Sequence, residues 1–503
     1  MLTSVLSLLL KTIAKITAFK IKTWSSKPVQ TQEKQFKDLI NSGKETFFGR
    51  DHNFQEITSY KDFVKNVPVR EYEGIRPYIE RVKKGEINIL WPGQPVYFAL
   101  TSGTTSGSKY IPITKESLKN HLNGAKNAIL NYVAQTGKTS FMKGKFIFIQ
   151  GSPLLDKISE VLIGRLSGIS AHHIPFYMQH KMLPSWETNI IEDWESKVER
   201  IVDETIDKDM TIISGIPSWV QMYFEKIVER KQKKVGTIFQ NFSLFIYGGI
   251  NFKPYQKKFK SLIGRKIDSV ELFPASEGFY AFQDRQESKE LLLILNDGIF
   301  YEFIEEKKYH LNVFDRIPIA EVCLNTNYVL IVSTNAGLWA YNTGDTIKFT
   351  SLRPYRVIVT GRVAQFLSAF GEHVIVKEVE LAIEEACIKT GEIVNEFTVA
   401  PKFKKGNEMA CHEWFIEFTQ ENPDIQTFQT TIDLELQKQN KYYNDLISGK
   451  IISRAKVNMV QKGGFNKYMK SIGKLGGQNK IPKISNNRKV ADQLNKLNLV
   501  IGN

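Results

Sequence analysis

Residues 101–110, TSGTTSGSKY, bring together hydroxyl side chains at Thr101, Ser102, Thr104, Thr105 and Ser106, glycines at Gly103 and Gly107, and a cation at Lys109. Glycine lets backbone N–H groups turn inward on an anion, hydroxyls add donors, and a lysine neutralises charge, so this set of residue types suits phosphate. It is not the G-x-x-x-x-G-K-[ST] loop. Gly107 comes one position early, and Tyr110 stands where a magnesium-binding hydroxyl would follow the lysine. The runs on either side, PVYFAL and KYIPIT, read as strands, which gives a strand–loop–strand setting rather than strand–loop–helix. Other chemistries find little support. There is no G-x-S-x-G elbow, His412-Glu413 lacks a second histidine at metal spacing, and His172-His173 reads as a loop pair. Cys323, Cys387 and Cys411 lie far apart with no C-x-x-C pair, which excludes a disulfide framework and a zinc finger and fits a reducing cytoplasm.

The elements that would carry this loop follow from patterning. From about 95 to 360, short β-rich runs alternate with helical stretches: PVYFAL, KFIFIQ, TIISGI, SLFIYG and DSVELF, with helices starting near Pro217 and Pro254. Strands of this kind are buried on both faces of an α/β sheet. After 290, closely spaced strands and the Asn296-Asp297-Gly298 turn signal predict an antiparallel, barrel-like part. After about 362 the order becomes helix, strand, strand, helix, strand. The expected fold is therefore α/β, with a large domain over 1–363 of sheets flanked by helices plus the barrel-like part, and a small mobile α+β domain over 364–503.

The 503 residues hold 68 Lys and Arg against 53 Asp and Glu, a formal charge of +15, and residues 438–503 alone hold fourteen basic residues against two acids. Such a tail suits nucleic acid, an anionic membrane or a polyanionic small molecule such as ATP, and charge alone does not choose among them, while no RNA-binding or helix-turn-helix signature argues for nucleic acid. The N-terminal run MLTSVLSLLLKTIAKITAFKIK is interrupted by Lys11, Lys15, Lys20 and Lys22, too charged for a span of roughly 20 apolar residues. It reads as an amphipathic helix packed on the body, with peripheral membrane contact as the alternative and without stable membrane insertion.

The loop 101–109 resembles the phosphate signature [ST]-[SG]-G-[ST]-[TS]-x-G-x-K of the adenylate-forming superfamily. With WPGQPVYFA before it, it is more closely similar to the Gretchen Hagen (auxin-responsive promoter) family of acyl-acid amido synthetases, in its bacterial-type branch. Further landmarks follow in the family's order. SLFIYGGI resembles the segment that sets Gly248 and Gly249 beside the base. ELFPASEGFYAF resembles the second signature, with Phe273, Pro274, Ala275, Ser276 and Glu277 over the nucleotide and Glu277 as the Mg²⁺ ligand. YNTGDTIKF resembles the third, with Asp345 on the ribose hydroxyls, and Gly361-Arg362 resembles the hinge entry, with Arg362 available to the nucleotide. GGQNKIPK resembles the C-terminal Gln-x-Lys element, where Lys480 matches the lysine that reaches the acyl carboxylate and α-phosphate, and Lys483 replaces the family's frequent arginine.

The resemblance implies ATP and Mg²⁺ as cofactors and two steps: adenylation of a small carboxylic acid, then transfer of the acyl group to an amine, such as that of an amino acid. Lys480 and Lys109 would be catalytic. Two other readings share these residues. One is an acyl-CoA ligase with a thiol acceptor, the other a non-catalytic nucleotide-binding module. The acid pocket is expected near Trp219, Met222 and Tyr328.

Overall fold

The computed structural model describes residues 2–102, 108–191, 193–249, 252, 255–286, 288–363, 366–367, 369–370, 372, 374–403, 408–448, 451–475 and 480–501. Contacts divide the chain into two units, one of residues 1–250 with 265–359, the other of residues 251–264 with 360–503.

In the first unit, strands Lys145–Ile149, Met210–Gly215, Leu244–Gly248 and Asp268–Pro274 lie side by side and parallel. Ile147, Ile213, Phe245 and Val270 are fully or nearly fully buried in them, and Met210–Gly215 and Leu244–Gly248 are each buried over their first four residues as continuous apolar runs, whereas Asp268–Pro274 carries Asp268, Ser269 and Glu271 and is buried only at Val270 and Phe273. Phe279–Phe282 turns the pairing antiparallel against Asp268–Pro274. From there the strands expected as a barrel-like part take their places in the same sheet, twelve strands in all, ending at Arg316–Pro318.

A second, four-stranded sheet holds the hairpin on either side of the 101–110 segment, with Tyr97–Ser102 between Ser108–Ile113 and Val161–Gly164. The helix Lys115–Thr136 follows the hairpin directly. Thr114 and Ser117 form a reciprocal capping box at its start, and Gly137 closes it at φ 69°. Gly124, in its middle, lies against the Phe279 ring, where an added Cβ would come within 2.5 Å. One helix thus ties the hairpin to the strand that leaves the Ser276-Glu277 turn.

In the second unit the sheet order is Val394–Lys402, Cys411–Phe418, Lys456–Val460, Val500–Ile501. Every residue of Cys411–Phe418 is buried. Trp414, Ile416 and Phe418 enter a core with helices Val376–Thr390 and Ile425–Gln439, while Phe415 faces a second core with Phe465, Met469 and Leu494. This is the two-residue period of a strand covered on both faces. The helix Gln256–Ile263, early in the sequence, belongs to this unit. Lys257 donates to the carbonyls of Cys387 and Glu392 at 3.2 and 3.1 Å, and also to that of Gly391, where the helix Val376–Thr390 ends. A cation there satisfies orphan carbonyls and the negative end of the helix dipole.

Candidate active site

Three of the sequence-identified segments come together at one end of the parallel strands, where open α/β sheets hold their ligands. Gly248 ends its strand opposite Leu272, so close that a Cβ would meet the Leu272 carbonyl oxygen at 2.5 Å and Pro274 Cδ at 3.2 Å. Gly249 follows at φ 83°. Beside them Phe273 and Pro274 end the next strand. Ala275, Ser276, Glu277 and Gly278 then form a tight turn, closed by Ala275 N–H to the Gly278 carbonyl at 2.8 Å and by the reverse bond at 3.3 Å.

Asp345 arrives from a different part of the sheet. The ladder between Asn327–Thr334 and Tyr341–Leu352 slips between the pairs Ile331↔Asn342 and Val329↔Thr346, leaving Thr343, Gly344 and Asp345 as a bulge. The motif stabilises its own distortion. Gly344 sits at φ 76° and donates its N–H to Asn342 Oδ1 at 2.9 Å, and the Asp345 N–H donates to Thr343 Oγ1 at 3.1 Å. Bulges of this kind re-aim a side chain beside a site.

Tyr280 links the two carboxylates. It is fully buried, its ring stands edge-on to Phe273 at 5.1 Å, and its hydroxyl has no hydrogen-bond partner among the described residues. Burial pushes its phenol well above the ordinary range, and the charges of Glu277 and Asp345 push it further in the same direction. Both carboxylates therefore lie within electrostatic reach of one buried hydroxyl. In the sequence Tyr280 shows only as a polar aromatic inside the otherwise apolar strand FYAF.

The hairpin is formed as expected on both sides of its loop, with Thr101 opposite Lys109 and Ser102 opposite Ser108. Lys109 Nζ lies 5.7 Å from the centre of the Tyr72 ring, and the Tyr72 hydroxyl accepts from Tyr110 N–H at 2.9 Å. Gly103, Thr104, Thr105 and Ser106, and the side chain of Ser102, lie outside the described residues. Arg362 and Lys480 are exposed and belong to the second unit. Lys480 enters a segment pinned to strand Val394–Lys402: Val399 N–H donates to the Lys483 carbonyl, Ser485 N–H to the Val399 carbonyl, and Thr398 Oγ1 to the Pro482 carbonyl at 2.6 Å. Lys483 is an anchor. Its ammonium donates to the Tyr255 hydroxyl at 2.8 Å and pairs with Glu396. Burial alone would lower its pKa, and the Glu396 carboxylate outweighs burial and raises it.

Of the residues expected near the acid, Trp219 and Met222 pack on Trp194, with ring centres 4.7 Å apart and the indole N–H 3.4 Å from Met222 Sδ. Tyr328 is buried against Phe303 and Phe349. Two cations went unnoticed in the sequence. Lys197 is 2 % exposed and donates to the Asn189 carbonyl at 2.6 Å. Arg165 follows strand Val161–Gly164, with its side chain against Gly151. Neither forms an ion pair with a carboxylate among the described residues, and burial, then the Arg165 charge, pushes Lys197 down to about 8.

Three family models match the chain: the GH3 family N-terminal domain over residues 18–267, the central domain over 292–362 and the C-terminal domain over 377–489. A jasmonoyl–L-amino acid synthetase, GH3.5 of Oryza sativa subsp. japonica, is 21 % identical across 87 % of this chain and 89 % of its own length. Among solved structures, the AtGH3.15 acyl acid amido synthetase in complex with 2,4-DB superposes with a TM-score of 0.80 at 16 % identity, covering 98 % and 97 % of the two chains. A 2-hydroxyisobutyryl-CoA ligase in the postadenylation state, with 2-HIB-AMP, gives 0.63 at 14 % identity over 93 % and 91 %.

Proposed function

The chain belongs to the GH3 family, and from that premise we propose that it joins a carboxylic acid to the amine of an amino acid through an acyl-adenylate, consuming ATP and releasing pyrophosphate and AMP. One observation carries this reading: at the end of a parallel sheet Gly248 lies against Leu272 and Pro274, just before the Ser276-Glu277 turn, and Glu277 and the bulged Asp345 both act electrostatically on the buried Tyr280. Its relatives, a jasmonoyl–L-amino acid synthetase and an acyl acid amido synthetase, suggest the substrate classes, an acyl acid and an amino acid.

In the first step a carboxylate oxygen of the acid attacks the α-phosphorus of ATP, and the bond to pyrophosphate breaks. The segment 101–109, with Lys109, would hold the phosphates, Gly248 and Gly249 would let the base approach the backbone, and Asp345 would accept the ribose hydroxyls. Phe273, Pro274, Ala275 and Ser276 shape the nucleotide's side of the turn. An oxygen donor at Glu277 fits Mg²⁺, which would neutralise charge on the phosphates when bound. In the second step the amine attacks the acyl carbonyl carbon, AMP leaves with the former carboxylate oxygen, and the amine loses a proton. Lys480 would stabilise charge at the reacting centre and Arg362 would meet the nucleotide, with residues 364–503 acting as the small mobile domain. The three free cysteines suit a reducing cytoplasm.

The test is exchange of labelled pyrophosphate into ATP, with Mg²⁺, across a panel of carboxylic acids. We expect acid-dependent exchange that disappears in Lys109→Ala, followed by amide rather than thioester formation when amino acids and coenzyme A compete. Folded protein that binds ATP but exchanges pyrophosphate with no acid would overturn the reading.

A further inference from the structure

The helix Leu2–Ser25 has two apolar faces, and only one of them is used by the fold. Ala14 and Ile21 are buried in a core with Ala128 and Val133 of the helix Lys115–Thr136, with Leu10 and Trp24 packed alongside, and Ser7 Oγ is hydrogen-bonded to Thr139 Oγ1 at 2.7 Å. The other face should be polar if the helix served packing alone. Instead Leu6, Leu8, Leu9, Ile13, Ile16 and Phe19 are 51–72 % exposed. Leu9, Ile13 and Ile16 succeed one another at spacings of four and three, and Leu8 and Phe19, eleven apart, share one side of that row. From Leu6 to Phe19 the stripe runs about 20 Å at 1.5 Å per residue. Exposed apolar residues are ordinary one at a time, whereas a contiguous row marks an interaction surface.

Charge identifies what covers it. Lys11, Lys15, Lys20 and Lys22 are all exposed around the stripe, Lys27 follows, and the sequence contains no acid before Glu33. A second copy of the chain seated on this face would set the same lysines against each other. An anionic lipid surface meets both requirements, because apolar side chains enter the boundary of the acyl region while lysine stems reach back to the headgroups. No helix among the described residues is long and apolar enough to cross a membrane. We infer that this helix lies in the plane of a bilayer surface rich in anionic phospholipid, and that it holds the enzyme there peripherally.

The test is co-sedimentation of the full chain with vesicles of phosphatidylcholine, with and without phosphatidylserine, at low and high salt. The wild type should bind the phosphatidylserine vesicles and release on raising the salt. Ile13→Asp with Phe19→Asp should weaken binding on the order of tenfold or more, and Lys11→Glu with Lys15→Glu should weaken it on the anionic vesicles alone. Since these side chains are exposed, thermal unfolding and ATP-dependent activity in the absence of vesicles should match wild type in both variants. Folded protein that binds neither vesicle, or variants that bind as wild type, would overturn the inference. So would a dimer in sedimentation that the aspartate variants convert to monomer, since the stripe would then be a subunit interface.

Discussion

A buried hydroxyl without a partner is costly, and Tyr280 keeps one that has none among the described residues, within electrostatic reach of two carboxylates. If its role were only to fill space, phenylalanine would serve better by about 1 kcal/mol, the usual penalty of an unsatisfied polar group. Tyr280→Phe should therefore unfold at slightly higher urea concentration than wild type while raising the KM for ATP. Higher stability with unchanged KM would show a hydroxyl that takes no part in binding ATP, and lower stability a hydroxyl that is satisfied in the folded protein. Lys197 poses a related question through pH. Its folded pKa, about 8, lies below the ordinary 10.5, so between those values the unfolded chain holds a proton that the folded chain has lost. Stability attributable to this residue rises with pH across that window, and the full cost, about 3 kcal/mol, is present below it. Removing the ammonium also removes its bond to Asn189, worth about 1 kcal/mol. Lys197→Met should thus be more stable than wild type by about 2 kcal/mol at pH 7, with the difference fading by pH 10.5. A difference that stays constant with pH would mean that Lys197 is not the titrating group.

At the scale of elements, the helix Lys115–Thr136 is the connection between hairpin and turn, and Gly124 is where it comes closest. Alanine is ordinarily better than glycine inside a helix by about 1 kcal/mol. Here its Cβ would fall 2.5 Å from the Phe279 ring, and overpacking of that kind costs about 1–3 kcal/mol. Gly124→Ala should be destabilising in urea unfolding, and because Phe279 follows the Ser276-Glu277 turn, the KM for ATP should rise with it. A stabilised variant would show that the ring moves aside freely. What the sequence made legible here was local. The hairpin strands, the Ala275–Gly278 turn and the glycines at strand ends each follow from residues a few positions apart. The Asp345 bulge was legible as a motif but not as geometry, since a slipped register depends on the neighbouring strand. Lys197 and Arg165 were invisible because nothing in a helix pattern says that a lysine will be buried without a carboxylate. The anchoring of Lys483 is not legible in GGQNKIPK, because its partners Glu396 and Tyr255 lie 87 and 228 positions away.

The whole molecule has two sets of cores, and the segment 251–264 joins the second although it lies in the middle of the sequence belonging to the first. Composition gave no reason to expect this, because a basic helix after Pro254 suits either unit. Its attachment is specific: Lys257 satisfies carbonyls at the end of Val376–Thr390, and Tyr255 shares Lys483 with Glu396. With separate cores, calorimetry should resolve two transitions rather than one two-state unfolding. Lys483→Met leaves the Glu396 carboxylate, largely buried, without its cation, at a cost of about 3 kcal/mol, while Lys483→Met with Glu396→Gln removes both charges and should recover most of it. Both effects belong to the transition of the second unit. Lys197→Met should move the other transition alone. If each substitution shifted both transitions together, the two units would unfold as one. The 251–264 segment, which passes from one to the other and back, would then be what couples them, since its two ends are covalently part of the first unit and its helix is bonded into the second.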